Sequence, residues 1–134
     1  MCPNRVKEEI NELTGQGVAV RLAENNGQCY ALSGGIAAPV PPWNKDRFDI
    51  LIAIPAAYDA AELDAFYVEL PCLFKGGDHP RIQGTVIEVD GRKWRLVSWH
   101  YKEGKPWVRG KDSLESHIAH CRGFFIERGL NNAH

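Results

Sequence analysis

Apolar and polar positions follow two different periods along the chain, and each period predicts a different element. In residues 5–16, apolar side chains recur every three or four positions among charged neighbours, which is typical of an amphipathic helix. In residues 18–22, apolar side chains recur at every second position, which predicts a strand with one buried face. Residues 25–27 supply turn residues, so residues 28–33 are predicted to complete a hairpin.

Two further apolar runs predict the next strands of the same sheet. Residues 33–43 contain two glycines and three prolines and are predicted to form a loop. Residues 48–54 are almost continuously apolar, which predicts a strand buried on both faces, and residues 65–70 form an aromatic-rich fourth strand. A turn at residues 90–91 joins two further short runs, residues 85–89 and 93–97, into a predicted small hairpin.

The last predicted element is a helix with a capping signal at its start. Asp112 is followed three residues later by Glu115, and apolar residues then recur at helical spacing through about Glu127. Strands grouped between terminal helices predict an α+β fold, with an N-terminal helix, a four-stranded antiparallel meander and a C-terminal helix. The long irregular segment between residues 71 and 112, which includes the small hairpin, is predicted to hold the active site.

Composition and charge narrow the class of protein. The chain of 134 residues has 44% apolar and 25% charged residues, as expected for one globular domain spanning residues 1–134. Its net charge of -1 gives no field that would attract nucleic acid or a membrane surface. The start of the chain lacks a leader-like pattern and no 18-residue apolar run occurs, so we expect a cytoplasmic protein.

The expected compartment determines how the four cysteines are interpreted. The four cysteines are scattered, and in a cytoplasmic protein we expect them to be reduced, most simply as buried small apolar residues. Their irregular spacing excludes the paired Cys-x-x-Cys arrangement of a structural zinc site. We therefore expect neither a bound metal nor another cofactor.

Several short motifs resemble the ubiquitin-conjugating-enzyme (UBC) superfamily. In that superfamily a central strand ends in a proline-containing turn, an aromatic strand leads to His-Pro-Asn, and a tryptophan precedes the next helix. The counterparts here are Ile54 with Pro55 and Tyr58, residues 66–71, His79 with Pro80, and Trp107. A closer resemblance is to the prokaryotic ubiquitin-conjugating-like family labelled family E, over residues 51–58, 64–71, 91–94, 98–100 and 107–118.

The resemblance implies a UBC-like fold and a transferase of a bacterial ubiquitin-like modification pathway. The implied partners are a ubiquitin-like protein and a ubiquitin-activating-enzyme-like protein. A standard conjugating enzyme carries the acyl group on a cysteine thiolate. No cysteine stands at residues 98–100, found by counting back from Trp107, or at residues 84–88, found by counting forward from His79, and Arg81 replaces the Asn. The alternative implied by the fold is a noncatalytic module that binds the ubiquitin-like protein.

Two residues are candidates for catalysis. His100 lies in the irregular segment at the expected nucleophile position, and its imidazole can act as a base or as an acyl acceptor. The alternative is a histidine that ties a loop to the sheet by hydrogen bonds. Cys72 follows the fourth strand directly and is the second candidate, with a buried apolar role as its alternative.

Aromatic residues are candidates for binding. Trp99 and Trp107 could anchor the tail of a partner protein next to His79, although such tryptophans more often pack an irregular segment against a sheet. His117 and His120 lie three residues apart on the last predicted helix. A metal-dependent hydrolase that uses them with His79 and His100 is a third hypothesis, but we interpret the helix histidines as solvent-exposed.

Overall fold

The computed structural model describes residues 2–101 and 106–130, with side chains described up to residue 126. Helices α1 and α2 lie near the two ends of the chain, and six strands lie between them. The elements in chain order are α1 (Asn4–Gly15), β1 (Val20–Asn25), β2 (Gln28–Ala37), β3 (Arg47–Ile54), β4 (Phe66–Glu69), β5 (Ile82–Val89), β6 (Arg92–Val97) and α2 (Leu114–Leu130). Neither helix in the described part of the chain is long and apolar enough to cross a membrane.

The strands form one antiparallel sheet in the order β1-β2-β3-β4-β6-β5. The predicted α+β class, with a helix at each end, is therefore confirmed. The predicted four-stranded antiparallel meander is confirmed, because β1 to β4 are consecutive neighbours in the sheet. The prediction that the small hairpin is separate from it is wrong, because β6 pairs with the whole of β4, from Phe66 opposite Val97 to Glu69 opposite Trp94. The hairpin thus extends the sheet and takes up much of the segment that was expected to be irregular.

Strand β2 is longer than predicted. It continues to Ala37 through a β-bulge between Ser33 and Ile36, so the predicted loop at residues 33–43 begins later. Gly35 lies in this bulge with φ of 68°, a conformation that glycine adopts without steric cost.

Both helices contribute to one hydrophobic core. The predicted stripes of α1 and α2 are buried, as are alternate residues of β3 such as Ile50 and Ile52. Leu51 packs instead in a smaller cluster with Tyr30 and Trp94. Since side chains of a strand alternate between the two faces of a sheet, β3 is buried on both faces, which confirms that prediction.

The N-terminus of α2 is capped differently from the prediction. Ser113 and Ser116 exchange backbone-to-hydroxyl hydrogen bonds, as in a capping box, whereas the Asp112 carboxylate turns back to accept the Val108 N–H at 2.6 Å. The predicted pair of Asp112 and Glu115 is therefore wrong. The first N–H of α2 donates to Oε1 of Glu9 on α1 at 2.9 Å, which ties the two helices together.

The expectation that all four cysteines are reduced is also wrong. Cys2 and Cys29 form a disulfide that links the segment before α1 to strand β2. The two cysteines are 27 positions apart, and their pairing follows from the packing of α1 beside the β1–β2 hairpin, which no local pattern reveals. Cys72 and Cys121 are free and buried.

Candidate functional site

The chain leaves β6 in an extended conformation that separates the side chains of Ser98, Trp99 and His100. The Ser98 N–H donates to the Arg81 carbonyl at 2.8 Å, which continues the hairpin pairing beyond Val97. Because successive side chains of an extended chain point in opposite directions, Ser98 and His100 share one side. Trp99 points the other way, is 7% exposed, and donates its indole N–H to the His120 carbonyl at 2.8 Å.

Asp64 reaches the same place from a different part of the chain. It follows the buried Leu63 and lies two residues before Phe66, the first residue of β4. Phe66 pairs with Val97, the last residue of β6. Since the strands are antiparallel, the start of β4 and the end of β6 lie at the same end of the sheet. This pairing brings Asp64 next to the residues that follow β6.

The three side chains form a hydroxyl, imidazole and carboxylate relay. His100 Nδ1 lies 2.8 Å from Asp64 Oδ1, and His100 Nε2 lies 3.1 Å from Ser98 Oγ. A carboxylate can only accept, so in the neutral ring Nδ1–H donates to Asp64 and Nε2 accepts the Ser98 hydroxyl proton. We refer to these residues as the Ser98–His100–Asp64 cluster. The same order of groups activates the nucleophile in serine hydrolases.

The cluster is open to solvent. The side chains of His100 and Asp64 are 54% and 55% exposed. An exposed pair of this kind typically contributes less than about 1 kcal/mol to stability, because water screens it. The pair is therefore poorly explained as a device that holds the fold together, and a substrate can approach it from outside.

An aromatic layer lies beneath the cluster and positions Tyr101 and Trp99. The Tyr101 ring stacks on His120 with 4.1 Å between the ring centroids, and its hydroxyl lies 2.7 Å from His117 Nδ1. Trp99 also stacks on His120, and Trp107 packs edge-on against Tyr101. The expectation that His117 and His120 are solvent-exposed is wrong, because His117 is fully buried and His120 is half-buried.

His117 is held in its neutral form by its surroundings. Burial, followed by the charge of neighbouring His120, lowers the pKa of His117 to about 4. Asp64 and Asp112 act in the opposite direction but do not outweigh burial.

The tryptophans mainly pack the segment against the sheet. Trp99 is 7% exposed and lies in the main core, as expected for a tryptophan that packs this segment against the sheet, and Trp94 is fully buried within β6. Trp107 is half-buried, with its ring against Tyr58. Anchoring of a partner's tail by Trp99 or Trp107 therefore stays a prediction, with Trp107 the more accessible of the two.

His79 lies inside the core. It is 2% exposed, and its ring stacks on Trp43 with 5.6 Å between the centroids. Its Nδ1 accepts the Arg81 N–H at 3.0 Å, which shapes the turn that leads into β5. A ring in this position supports the chain beside Ser98 and has little surface to offer a partner.

Cys72 lies beyond the opposite end of β4 from Asp64. It is 2% exposed, and burial raises the pKa of its thiol to about 12. A nucleophilic cysteine needs the opposite environment, one that stabilises the thiolate. The geometry thus weighs against Cys72 as an acyl carrier.

The metal-hydrolase hypothesis gains no support from the arrangement of side chains. In the part of the chain that is described, no three His, Cys, Asp or Glu side chains come together in a group that could hold a metal ion. His79 packs in the core, while His100 lies at the surface with Asp64 and Ser98.

The sequence predicted one member of the cluster and missed two. His100 was singled out, but Ser98 and Asp64 were not. The signal for Ser98 was its spacing of two residues from His100 on an extended segment, which places both side chains on one side. Asp64 is 36 positions away from His100 and carries no comparable local signal.

One comparison with known proteins gives a result. A family model described as "Prokaryotic E2 family E" matches residues 6–128, which is nearly the whole chain. No curated protein and no solved structure gives a significant match.

Proposed function

Since the chain belongs to prokaryotic E2 family E, we propose that it is a ubiquitin-conjugating-like component of a bacterial pathway that modifies targets with a ubiquitin-like protein. Its partners in this proposal are the ubiquitin-like protein itself and a ubiquitin-activating-enzyme-like protein. The reaction is acyl transfer, in which the C-terminal carbonyl of the ubiquitin-like protein passes from the activating enzyme to an amine.

The observation that carries a catalytic role is the environment of His100. Its ring is exposed, oriented by a carboxylate on one nitrogen and next to a hydroxyl on the other. By resemblance, residues 98–100 occupy the region where the superfamily places its nucleophile. An oriented imidazole next to the reacting carbonyl can remove the proton of an attacking group, a contribution of typically 10²–10⁴-fold in rate.

The direct test is reconstitution. The purified protein is incubated with its cognate activating enzyme, the ubiquitin-like protein and ATP, and covalent adducts are followed by intact mass. We expect an adduct with the wild-type protein and a loss of roughly 10²-fold or more in its formation rate with His100→Ala. Lys93→Ala, an exposed change on β6 away from the cluster, is the matched control and should behave as wild type. Wild-type rates in His100→Ala would reduce His100 to a structural role.

A second candidate function is a noncatalytic module that binds the ubiquitin-like protein. It is favoured by the burial of both free cysteines, Cys72 and Cys121, which leaves no accessible thiol among the described residues. The same reconstitution separates the two functions. If calorimetry shows that the protein binds the ubiquitin-like protein but no adduct forms under any condition, its function is that of the noncatalytic binding module.

A further inference from the structure

We propose that Ser98 carries the acyl group as an oxyester, with His100 as its base and Asp64 as the residue that orients the base. The inference rests on the proposed acyl-transfer function and names the nucleophile of that same site. It replaces the thioester of a cysteine-dependent enzyme by an ester of a serine.

The hydrogen-bond directions carry the argument. Asp64 Oδ1 can only accept, so it fixes the proton of neutral His100 on Nδ1 at 2.8 Å. Nε2 is then the acceptor, and the Ser98 hydroxyl at 3.1 Å is the donor. A serine hydroxyl is a weak nucleophile by itself and becomes effective when an adjacent base takes its proton. That base is in contact with it here.

The other nucleophile candidates fit the geometry less well. Both ring nitrogens of His100 are engaged, so direct attack by the imidazole requires it to give up Ser98 or Asp64. The Cys72 thiol is buried, and its pKa is raised to about 12. Ser98 is half-buried, and the bond from its N–H to the Arg81 carbonyl at 2.8 Å fixes its backbone beside the base.

Acylation and release each exchange one bond for another. In acylation, Ser98 Oγ forms a bond to the carbonyl carbon of a C-terminal thioester, and the C–S bond breaks. The hydroxyl proton passes to His100 Nε2 and from there to the departing thiolate. In release, an amine attacks the oxyester, the C–Oγ bond breaks, and the amine proton returns through Nε2 to the serine oxygen.

The same geometry limits the substrate class. An oxyanion needs hydrogen-bond donors aimed at it, and the backbone N–H of the nucleophile often supplies one. The Ser98 N–H already donates to Arg81 and is not available. We therefore expect the site to accept activated thioesters and to leave ordinary amides intact.

The test uses a substrate that does not depend on the pathway. The full-length protein is mixed with a short peptide bearing a C-terminal aryl thioester, and acyl adducts are measured by intact mass and located by peptide mapping. We expect one acyl group on Ser98, with the rate of its formation reduced at least 10²-fold in Ser98→Ala and His100→Ala and roughly 10-fold to 10²-fold in Asp64→Asn. Thr85→Ala, which removes an exposed hydroxyl on the edge strand β5, is the matched control and should keep the wild-type rate.

The chemical nature of the bond provides a second readout. The wild-type adduct should resist neutral thiols, as an oxyester does. Ser98→Cys keeps the nucleophile position and should convert the adduct into a thioester that dithiothreitol cleaves. This variant gains a property, so its result does not depend on a loss of folding.

Three outcomes overturn the inference: an adduct that persists in Ser98→Ala, an adduct that maps to His100, and a wild-type protein that forms none with the peptide thioester. The proposed function fails separately. If the peptide thioester acylates Ser98 but no ubiquitin-like protein is transferred in the reconstituted reaction, the serine chemistry stands and the conjugation role does not.

Discussion

Lowering the pH should destabilise the protein through one buried residue, His117. Its side chain is fully buried, and its Nδ1 lies 2.7 Å from the Tyr101 hydroxyl. The pKa of the folded protein's His117 is lowered to about 4, whereas an unperturbed histidine titrates near 6.5. The unfolded chain therefore binds one more proton between these two values.

The sign and size of the effect follow from this difference. The stability contributed by neutral His117 is fully present above about pH 6.5 and is lost as the pH falls towards 4. At about 1.4 kcal/mol per pH unit, the loss amounts to roughly 3 kcal/mol. This is a large part of the 5–15 kcal/mol that is typical of folded domains.

The assay compares the wild-type protein with His117→Asn in urea titrations at several pH values from 7.5 to 4. The asparagine amide can still accept the Tyr101 hydroxyl but does not titrate. We expect the variant to be less stable at pH 7.5, because part of the buried ring is lost. Below pH 6.5 its free energy of unfolding should fall less steeply with pH than that of the wild-type protein, by about 1.4 kcal/mol per pH unit, which corresponds to one proton. Parallel stability curves for the two proteins would refute the assignment of this pH dependence to His117.

The remaining predictions concern the cysteines. Reduction of the Cys2–Cys29 disulfide frees a loop with a sequence separation of 27, so the free energy of unfolding should fall by roughly 3–4 kcal/mol. The stability of Cys29→Ala should not change when a reductant is added. A urea midpoint of the wild-type protein that is the same with and without reductant would contradict the disulfide. Cys72→Ala should form the acyl adduct at the wild-type rate and lose about 1 kcal/mol of stability, because a small buried contact disappears. If this variant folds but forms no adduct, Cys72 is the acyl carrier.

Local periodicity was enough to predict the elements whose environment is encoded in their own residues. The stripe of α1 and the continuous apolar run of β3 are buried as expected, because each segment contains the whole signal for its own burial. Strand β5 is different. It is an edge strand whose residues are mostly exposed, and its own sequence does not show that its partner β6 continues the sheet.

The site was predictable only in part for the same reason. His100 could be selected because it lies in the predicted irregular segment at the nucleophile position that the resemblance implies, but its partner Asp64 is 36 positions away. Their contact exists because β4 and β6 are neighbours in the sheet. The sequence-based prediction kept the hairpin separate from the sheet, so it did not place Asp64 next to His100. The hydrogen-bonded relay could therefore not be predicted.

The imidazoles of His100 and His117 lie in opposite environments, one exposed and one buried, and have different roles. His100 is 54% exposed between a carboxylate and a hydroxyl, so its ring is accessible to a substrate. His117 is fully buried, and its lowered pKa keeps it neutral at pH 7, with its Nδ1 at 2.7 Å from the Tyr101 hydroxyl. Since protonation of His117 would place a charge in the buried layer that holds Tyr101, the residue after His100, the acid limit of catalysis and the acid limit of folding should be coupled through this one residue. In the Asn variant of His117 the two limits should separate.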